Sequence, residues 1–340
     1  MKSRSNKNSK TPKNLSQKSL EKIAVIGSGA WGSAIGTLIA KNGYNVNILA
    51  QSKKDADFAN ERLKKLKISA VASDNIKSVV EGTNFIFIVV PSDAVSLILK
   101  SLTSLKISSK VKIIVCSKGI ESKSLRLFSE CIEKELPKNN YAILSGPNFA
   151  GEVAEGRPSV TNVASKDKKS ANEIVKVLKN DHFLPIISND VIATQISGAI
   201  KNIFAIGTGI IDGLELGENA KAALILKGVL EENLLIKKLG GKPLENFISP
   251  CGLGDLFLTC SSQKSRNNSL GFMIGSGKKI HDILKSGTTF EGFKASESVI
   301  KFARKHKVKL PLCEKINQIL HGNFTAKEIR EIISKAILDY

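Results

Sequence analysis

Residues 23–40 read IAVIGSGAWGSAIGTLIA. Four apolar residues, a glycine-rich turn and an apolar run of helical length succeed one another, the order of a buried strand, a tight turn and a packed helix. Gly27, Gly29 and Gly32 fill the glycine places of G-x-G-x-x-G. The first suits the tight turn, the second a close approach of backbone to a pyrophosphate, and the third close packing of helix on strand. The helix expected over residues 33–42, with Gly43 as its stop, would aim its first amides and positive dipole end at those phosphates. An uncharged run behind a basic N-terminus also fits a signal peptide or a membrane span. Glycines at 27, 29, 32 and 36, with Ser28, Ser33 and Thr37, make it too polar for that, and no second long apolar run appears. No integral membrane segment is expected.

The alternation continues outward. Residues 45–49 (NVNIL), 84–90 (NFIFIVV), 111–116 (VKIIVC), 141–145 (YAILS) and 160–164 read as further strands with helical connections. Such alternation predicts an α/β fold with a parallel, doubly wound sheet, its ligand beyond the carboxyl ends of the strands. Pro91-Ser92, Ser117-Lys118-Gly119 and Gly146-Pro147-Asn148 would then face one crevice. From about Asp190 the pattern turns helical, with helices expected over residues 191–211, 220–239, 253–259, 272–275, 281–286, 295–306, 313–321 and 326–338. A chain of 340 residues, 42% of them hydrophobic, has room for two cores. The expected division is a Rossmann-type domain over residues 21–190 and an all-helical C-terminal domain over residues 191–340.

The formal net charge is +20. Lys2, Arg4, Lys7, Lys10, Lys13 and Lys18 meet no acid within residues 1–20, which read as a disordered basic tail. A transit peptide would carry more arginine and more amphipathic pattern. Elsewhere lysines mix with acids as on solvated helix faces, so no nucleic-acid partner is expected. The five cysteines are odd in number and form no C-x-x-C pair, and the four histidines form no metal-binding group. That predicts a reducing, cytoplasmic setting and no metal site.

Three polar residues sit oddly in apolar surroundings. Lys201, in GAIKNIFAIG, either reaches the surface along its stem or is an ammonium held in a cleft, its pKa lowered, exchanging a proton with a substrate oxygen. Gln195 and Asn202, seven apart, share a helix face and are placed to offer amide contacts beside it. Asp255 in CGLGD is either an N-cap or the counter-charge of Lys201 or Lys118. Arg266, in SRNN, is either a surface-loop residue or, with Ser265 and Asn267, a phosphate clamp.

The motifs GSGAWG, VVPS, SKGIE, SGPNFAGEV, GAIKNIFAIGTGIIDGLELGENAKAALI, GLGDLFLTC, SRN and FEGF resemble, in order and spacing, those of bacterial NAD(P)-dependent glycerol-3-phosphate dehydrogenases. The resemblance runs from about Lys22 to the C-terminus. It implies reduction of dihydroxyacetone phosphate to sn-glycerol 3-phosphate, which feeds glycerophospholipid synthesis. It further implies Lys201 as general acid/base with Lys118 and Asp255 beside it, and substrate contacts from Lys118, Gly146, Asn148, Lys201, Asp255, Ser265, Arg266 and Asn267. Cofactor contacts are implied for Gly27, Gly29, Ala30, Trp31, Gly32, Gln51, Lys118, Ala150, Arg266, Thr289 and Glu291. Related alternatives are a 3-hydroxyacid or 6-phosphogluconate dehydrogenase, or a non-catalytic NAD(P)-binding regulator. The SRN and GLGD segments and the intact Lys118, Lys201 and Asp255 argue against both.

The sequence departs from the family pattern over residues 55–73, which are shorter and Lys-rich and lack a Tyr-Leu-Pro turn, and at Asn148, where the family carries Ser or Thr. The second strand ends in Ala50-Gln51-Ser52-Lys53-Lys54, without the acid that binds a ribose 2′-hydroxyl in NAD sites. NADP(H) is therefore the expected cofactor, with NAD(H) as the second choice. A homodimer is compatible with the sequence.

Overall fold

The computed structural model describes residues 21–285 and 287–339, so the basic segment 1–20 lies outside the described residues. One eight-stranded sheet forms from β1 (Lys22–Ile26), β2 (Asn45–Leu49), β3 (Ala70–Ser73), β4 (Thr83–Ile88), β5 (Lys112–Val115), β6 (Tyr141–Ser145), β7 (Ser159–Ala164) and β8 (Phe183–Ser188), in the order β3-β2-β1-β4-β5-β6-β7-β8. Between the strands run α1 (Ala30–Lys41), α2 (Lys53–Leu66), α3 (Ile76–Val80), α4 (Ser92–Ser104), α5 (Phe128–Glu135), α6 (Ala150–Glu155) and α7 (Lys168–Leu178). Order 3-2-1-4-5 is the doubly wound arrangement, with its switch point between β1 and β4. Successive residues of β1 serve opposite faces. Ile23 and Val25 pack with Ile35 and Leu38 of α1, while Ala24 and Ile26 pack with Val95, Leu99 and Leu102 of α4.

The expectation of an all-parallel sheet needs correction at one pair, because β6 and β7 run antiparallel. Their link carries only the short α6, which packs beside α1 instead of crossing a sheet face, so the chain turns back on itself. Two strands went unread. β3 is four residues long, and β8 contains Pro185, which an edge strand tolerates because its N–H side needs no partner. The Lys-rich segment after β2 is also more regular than its composition suggests. Ser52 caps α2, and Ala56 and Leu63 bury its inner face.

The remainder is helical: α8 (Val191–Gly213), α9 (Glu218–Lys238), α10 (Pro243–Phe247), a π-turn over Pro250–Gly254, α11 (Asp255–Cys260), α12 (Arg266–Gly275), α13 (Ile280–Leu284), α14 (Glu291–Lys305), α15 (Pro311–His321) and α16 (Ala326–Leu338). Asp190 caps α8 by accepting from Ala193 N at 2.8 Å. Only Ile192, Asp212 and Gly213 of α8 escape burial, so the helix is the axis around which the others pack. A Cβ at Gly209 would lie 2.0 Å from Asn268 O, and one at Gly271 2.0 Å from Ile206 O. These two glycines let α8 and α12 touch backbone to backbone. α12 and α14 start at Arg266 and Glu291, six and four residues earlier than the periodicity indicates. Both residues therefore lie in first helical turns. No helix among the described residues is long and apolar enough to cross a membrane.

Candidate active site

The glycine turn behaves as its spacing requires. Gly27 has φ +121°, a conformation open to glycine, and a Cβ there would sit 2.3 Å from Val89 O. A Cβ at Gly32 would strike Gly27 O at 1.9 Å, so the helix presses directly on the turn. Gly29, the N-cap of α1, differs: a Cβ there meets no protein atom within 4 Å, and no side chain caps the helix. The first amides of α1, with Ala30 and Trp31 as its first residues, are thus presented outward at the carboxyl end of β1. This is the cradle a dinucleotide pyrophosphate requires. Gln51 is exposed at the end of β2, followed by exposed Lys53 and Lys54. Ser52 accepts from Asp55 N at 3.2 Å and donates to the Asp55 carboxylate at 2.7 Å.

Neighbouring loops converge as expected. Gly27 abuts Val89, a Cβ at Gly119 would lie 3.0 Å from Ser92, and Lys118 Nζ reaches Gly146 O at 3.3 Å. Ser117 fixes the base of its loop by donating to Val90 O at 2.5 Å. Asn148 donates through Nδ2 to Val160 O at 2.8 Å, while its Oδ1, like Ser145 Oγ and Thr161 Oγ1, is buried with no protein partner. Ala150 opens α6 beside this loop.

Lys118, from the loop after β5, and Lys201, from α8, meet at one carboxylate. Lys118 Nζ lies 2.7 Å from Asp255 Oδ2, and Lys201 Nζ lies 2.7 Å from Oδ1. Lys201 is 5% exposed and Asp255 1%, so the surface-reaching reading of the lysine fails. Asp255 is not an N-cap either. Ser249 caps the π-turn, and Asp255 continues the helix with its carboxylate turned to the lysines. A buried carboxylate needs such partners. Burial pulls the proton affinity of Lys201 down to about 8, against the attraction of Asp255 and with help from the Lys118 charge. For Lys118, burial pulls the same way, but its ion pair and hydrogen bond with Asp255 prevail and hold its pKa above the usual value.

Thr259 is a contact that sequence reading missed. Its Oγ1 accepts from Lys201 Nζ at 2.5 Å and donates to Asp255 O at 2.6 Å, so Asp255 and Thr259 together fix two of the three N–H directions of the lysine. The signal was present, since Asp255 and Thr259 are i and i+4 on a helix. Gln195 needs the opposite correction. Its amide turns away from Lys201 and binds Ser129 N and Oγ, both at 3.0 Å, because α5 packs on that side. Asn202 instead faces Glu291, with Nδ2 3.5 Å from Oε2.

On the far wall, Ser265 is the N-cap of α12, accepting from Asn268 N at 3.4 Å, and Asn267 Oδ1 accepts from Gly292 N at 2.9 Å. Arg266, between them, projects exposed from the helix start, and Thr289 is exposed just before Glu291. Arg266 therefore has the rigid base that a loop residue would lack.

Two sequence models divide the chain between them: that of the NAD-dependent glycerol-3-phosphate dehydrogenase N-terminus matches residues 22–171, and that of its C-terminus matches residues 190–331. The chain belongs to the NAD-dependent glycerol-3-phosphate dehydrogenase family. A glycerol-3-phosphate dehydrogenase [NAD(P)+] of Fusobacterium nucleatum subsp. nucleatum is 36% identical over 318 residues, covering 90% of this chain and 94% of that protein. The enzyme of the same name from Leptospira biflexa serovar Patoc is 36% identical over 327 residues, covering 92% and 98%. The crystal structure of glycerol-3-phosphate dehydrogenase from Coxiella burnetii superposes with a TM-score of 0.87 at 32% identity, covering 94% of this chain and 99% of that one. The Gly27 turn abuts Val89, and the Lys118 loop is tied to the same segment through Ser117 and Val90 O.

Proposed function

We propose that this NAD(P)-dependent dehydrogenase interconverts dihydroxyacetone phosphate and sn-glycerol 3-phosphate, with Lys201 as the general acid/base. The observation that carries the assignment of roles is the sharing of the buried Asp255 carboxylate by Lys118 and Lys201. When bound, the cofactor supplies or accepts the hydride at C2 of the substrate. Lys201 supplies a proton to the substrate oxygen as negative charge gathers on it, and takes that proton back in the reverse direction. Lys118 keeps its charge and stabilises the same oxygen, and Asp255 holds both ammonium groups in place. Gly146 and Asn148 line the floor, the buried Asn148 Oδ1 offering an acceptor to a substrate hydroxyl. Ser265 and Asn267 anchor the start of α12 so that Arg266 meets the substrate phosphate with a planar pair of donors. Gly27, Gly29, Ala30, Trp31 and Gly32 take the cofactor pyrophosphate, and Ala150, Thr289 and Glu291 border the nicotinamide side.

NADP(H) is the preferred cofactor in this reading. Gln51, Ser52, Lys53 and Lys54 surround the place of the adenosine ribose without an acid at the strand end. The second partner is another copy of the chain. Ala222, Leu226, Leu230 and Leu234, four apart, form an exposed uncharged stripe along α9, continued by exposed Leu244 and Ile248 at α10. A two-fold axis would set this stripe against its own copy. Sedimentation of Leu230→Glu as a monomer, against a wild-type dimer, would support it; a wild-type monomer would refute it.

The decisive assay follows NAD(P)H oxidation with dihydroxyacetone phosphate for wild type and Lys201→Ala. The variant should lose roughly 10³-fold or more in kcat while still binding cofactor. A wild type without turnover, or a variant with full turnover, would sink the reading.

A further inference from the structure

Behind the lysine–aspartate cluster lies a buried acid that the mechanism above leaves unused. Glu232, on the inner face of α9, is 6% exposed, and its carboxylate accepts from Ser197 Oγ. Ser197 stands one turn before Lys201 on α8 and in turn accepts from Asn246 Nδ2 at 2.7 Å. Asn246 Oδ1 lies 3.3 Å from Cys251 Sγ, and Cys251 N donates to Asn162 Oδ1 of β7 at 2.8 Å. Cys251 is the second residue of the π-turn that delivers Asp255. The bonds therefore run from Glu232 to the backbone four residues before the catalytic carboxylate and on to the sheet.

Glu231 beside it is matched by two backbone N–H groups, whereas Glu232 has no such backbone partner among the described residues. A carboxyl there with only a hydroxyl on it is costly in its charged form. We propose that Glu232 is a positioning and charge-setting residue of the reaction, acting on Lys201 and Asp255 through Ser197 and the Asn246–Cys251 bonds. The inference rests on the acid/base role given to Lys201.

The surroundings support titration of Glu232 itself. Burial, joined by the negative charge of Asp255 and opposed by the Ser197 hydrogen bond, pushes it up to about 7. The other ionisable groups close by are occupied or silent near neutrality. Burial raises the thiols, Cys251 of the turn to about 11 and Cys260 of α11 to about 12, and drives Cys313 of α15 well above its usual value. Glu231, its neighbour on α9, faces α15 and accepts from Leu312 N and Cys313 N at 2.5 and 3.2 Å. Below neutrality the cluster of two lysines and one aspartate carries a net positive charge, which favours proton release from Lys201. Once Glu232 releases its proton to solvent, the added negative charge holds the Lys201 proton to higher pH.

Two measurements test this. In glycerol 3-phosphate oxidation, kcat rises as Lys201 loses its proton, and in Glu232→Gln that limb should move to lower pH by about half a unit or more, with KM unchanged. A limb superimposable on the wild type would overturn the proposal, and Glu232→Met gives the same reading should the glutamine variant not fold. Independently of turnover, the infrared carbonyl band of a protonated buried carboxyl, absent from Glu232→Gln, should be present at about pH 5 and lost by about pH 9. A wild-type band that persists, or none at the lower pH, would defeat the inference while leaving the role of Lys201 untouched.

Discussion

The glycine turn and the lysine–aspartate cluster are made in opposite ways. The turn is local: Gly27, Gly29 and Gly32 lie within six residues, and what matters is backbone shape. The cluster is remote: Lys118 and Asp255 are 137 residues apart, Lys201 and Asp255 are 54 apart, and what matters is charge removed from water. Steric tolerance decides the first and electrostatic balance the second, so the two should fail differently when altered.

The largest effect is expected at the cluster. Asp255→Asn leaves the buried Lys201 and the partly exposed Lys118 without their counter-charge, and breaking a buried pair such as Lys201–Asp255 costs about 3–5 kcal/mol. Turnover should fall by at least about 10³-fold, together with a drop in Tm. Loss of stability without loss of activity per folded molecule would show that Asp255 is structural only.

The pH dependence is the next sharpest test. Lys201 at about 8 lies below the usual lysine value, so its neutral form gains over the pH range where an ordinary lysine stays charged. Oxidation of glycerol 3-phosphate should therefore rise through a limb near pH 8, and ketone reduction should fall through the same limb. The sign for stability follows: with its folded pKa depressed, Lys201 binds fewer protons than in the unfolded chain between about 8 and 10.5, and its contribution grows with pH across that window. A limb near the ordinary lysine value would break the assignment.

At the turn, the comparison can be divided residue by residue. Gly32→Ala drives a Cβ into Gly27 O, so both Tm and cofactor affinity should fall, stability by about 1–3 kcal/mol. Gly29→Ala meets no protein atom. It should leave Tm within about 0.5 kcal/mol-equivalent of wild type and weaken cofactor binding alone. Equal effects from the two would mean that the turn is a packing feature with no ligand. The smallest change is expected at the exposed rim: Lys53→Glu should cut kcat/KM for NADPH by roughly tenfold and spare NADH, the scale of one exposed charge contact to phosphate. Indifference to both cofactors would remove Lys53 from the site.

The same division explains what the sequence makes legible. β1, α1 and their glycines are visible because their signal lies within twenty residues. Lys118, Lys201 and Asp255 are visible as residues out of place, but only folding shows that one carboxylate serves both lysines. Gln195 illustrates the limit. Helical spacing places it on the face of Asn202, yet the packing of α5 recruits its amide. β8, with Pro185 inside it, is suppressed by a rule that an edge strand may break. The antiparallel turn-back of β7 depends on where α6 packs, which no local pattern records. The Glu232–Ser197–Asn246 chain crosses three helices and has no spacing signature at all.

Asp255 enters the cluster from the helical part, bonded on one oxygen to Lys118 of the loop after β5 and on the other to Lys201 of α8. Neither half of the polypeptide thus holds the whole cluster. A genetic exchange that joined this sheet to a foreign helical partner would keep the glycine turn and Lys118, but it would rebuild the cluster only if the new partner brought both a lysine and an acid to the same oxygen-to-nitrogen spacing. The local turn can be borrowed by recombination, whereas the remote cluster must coevolve with its host.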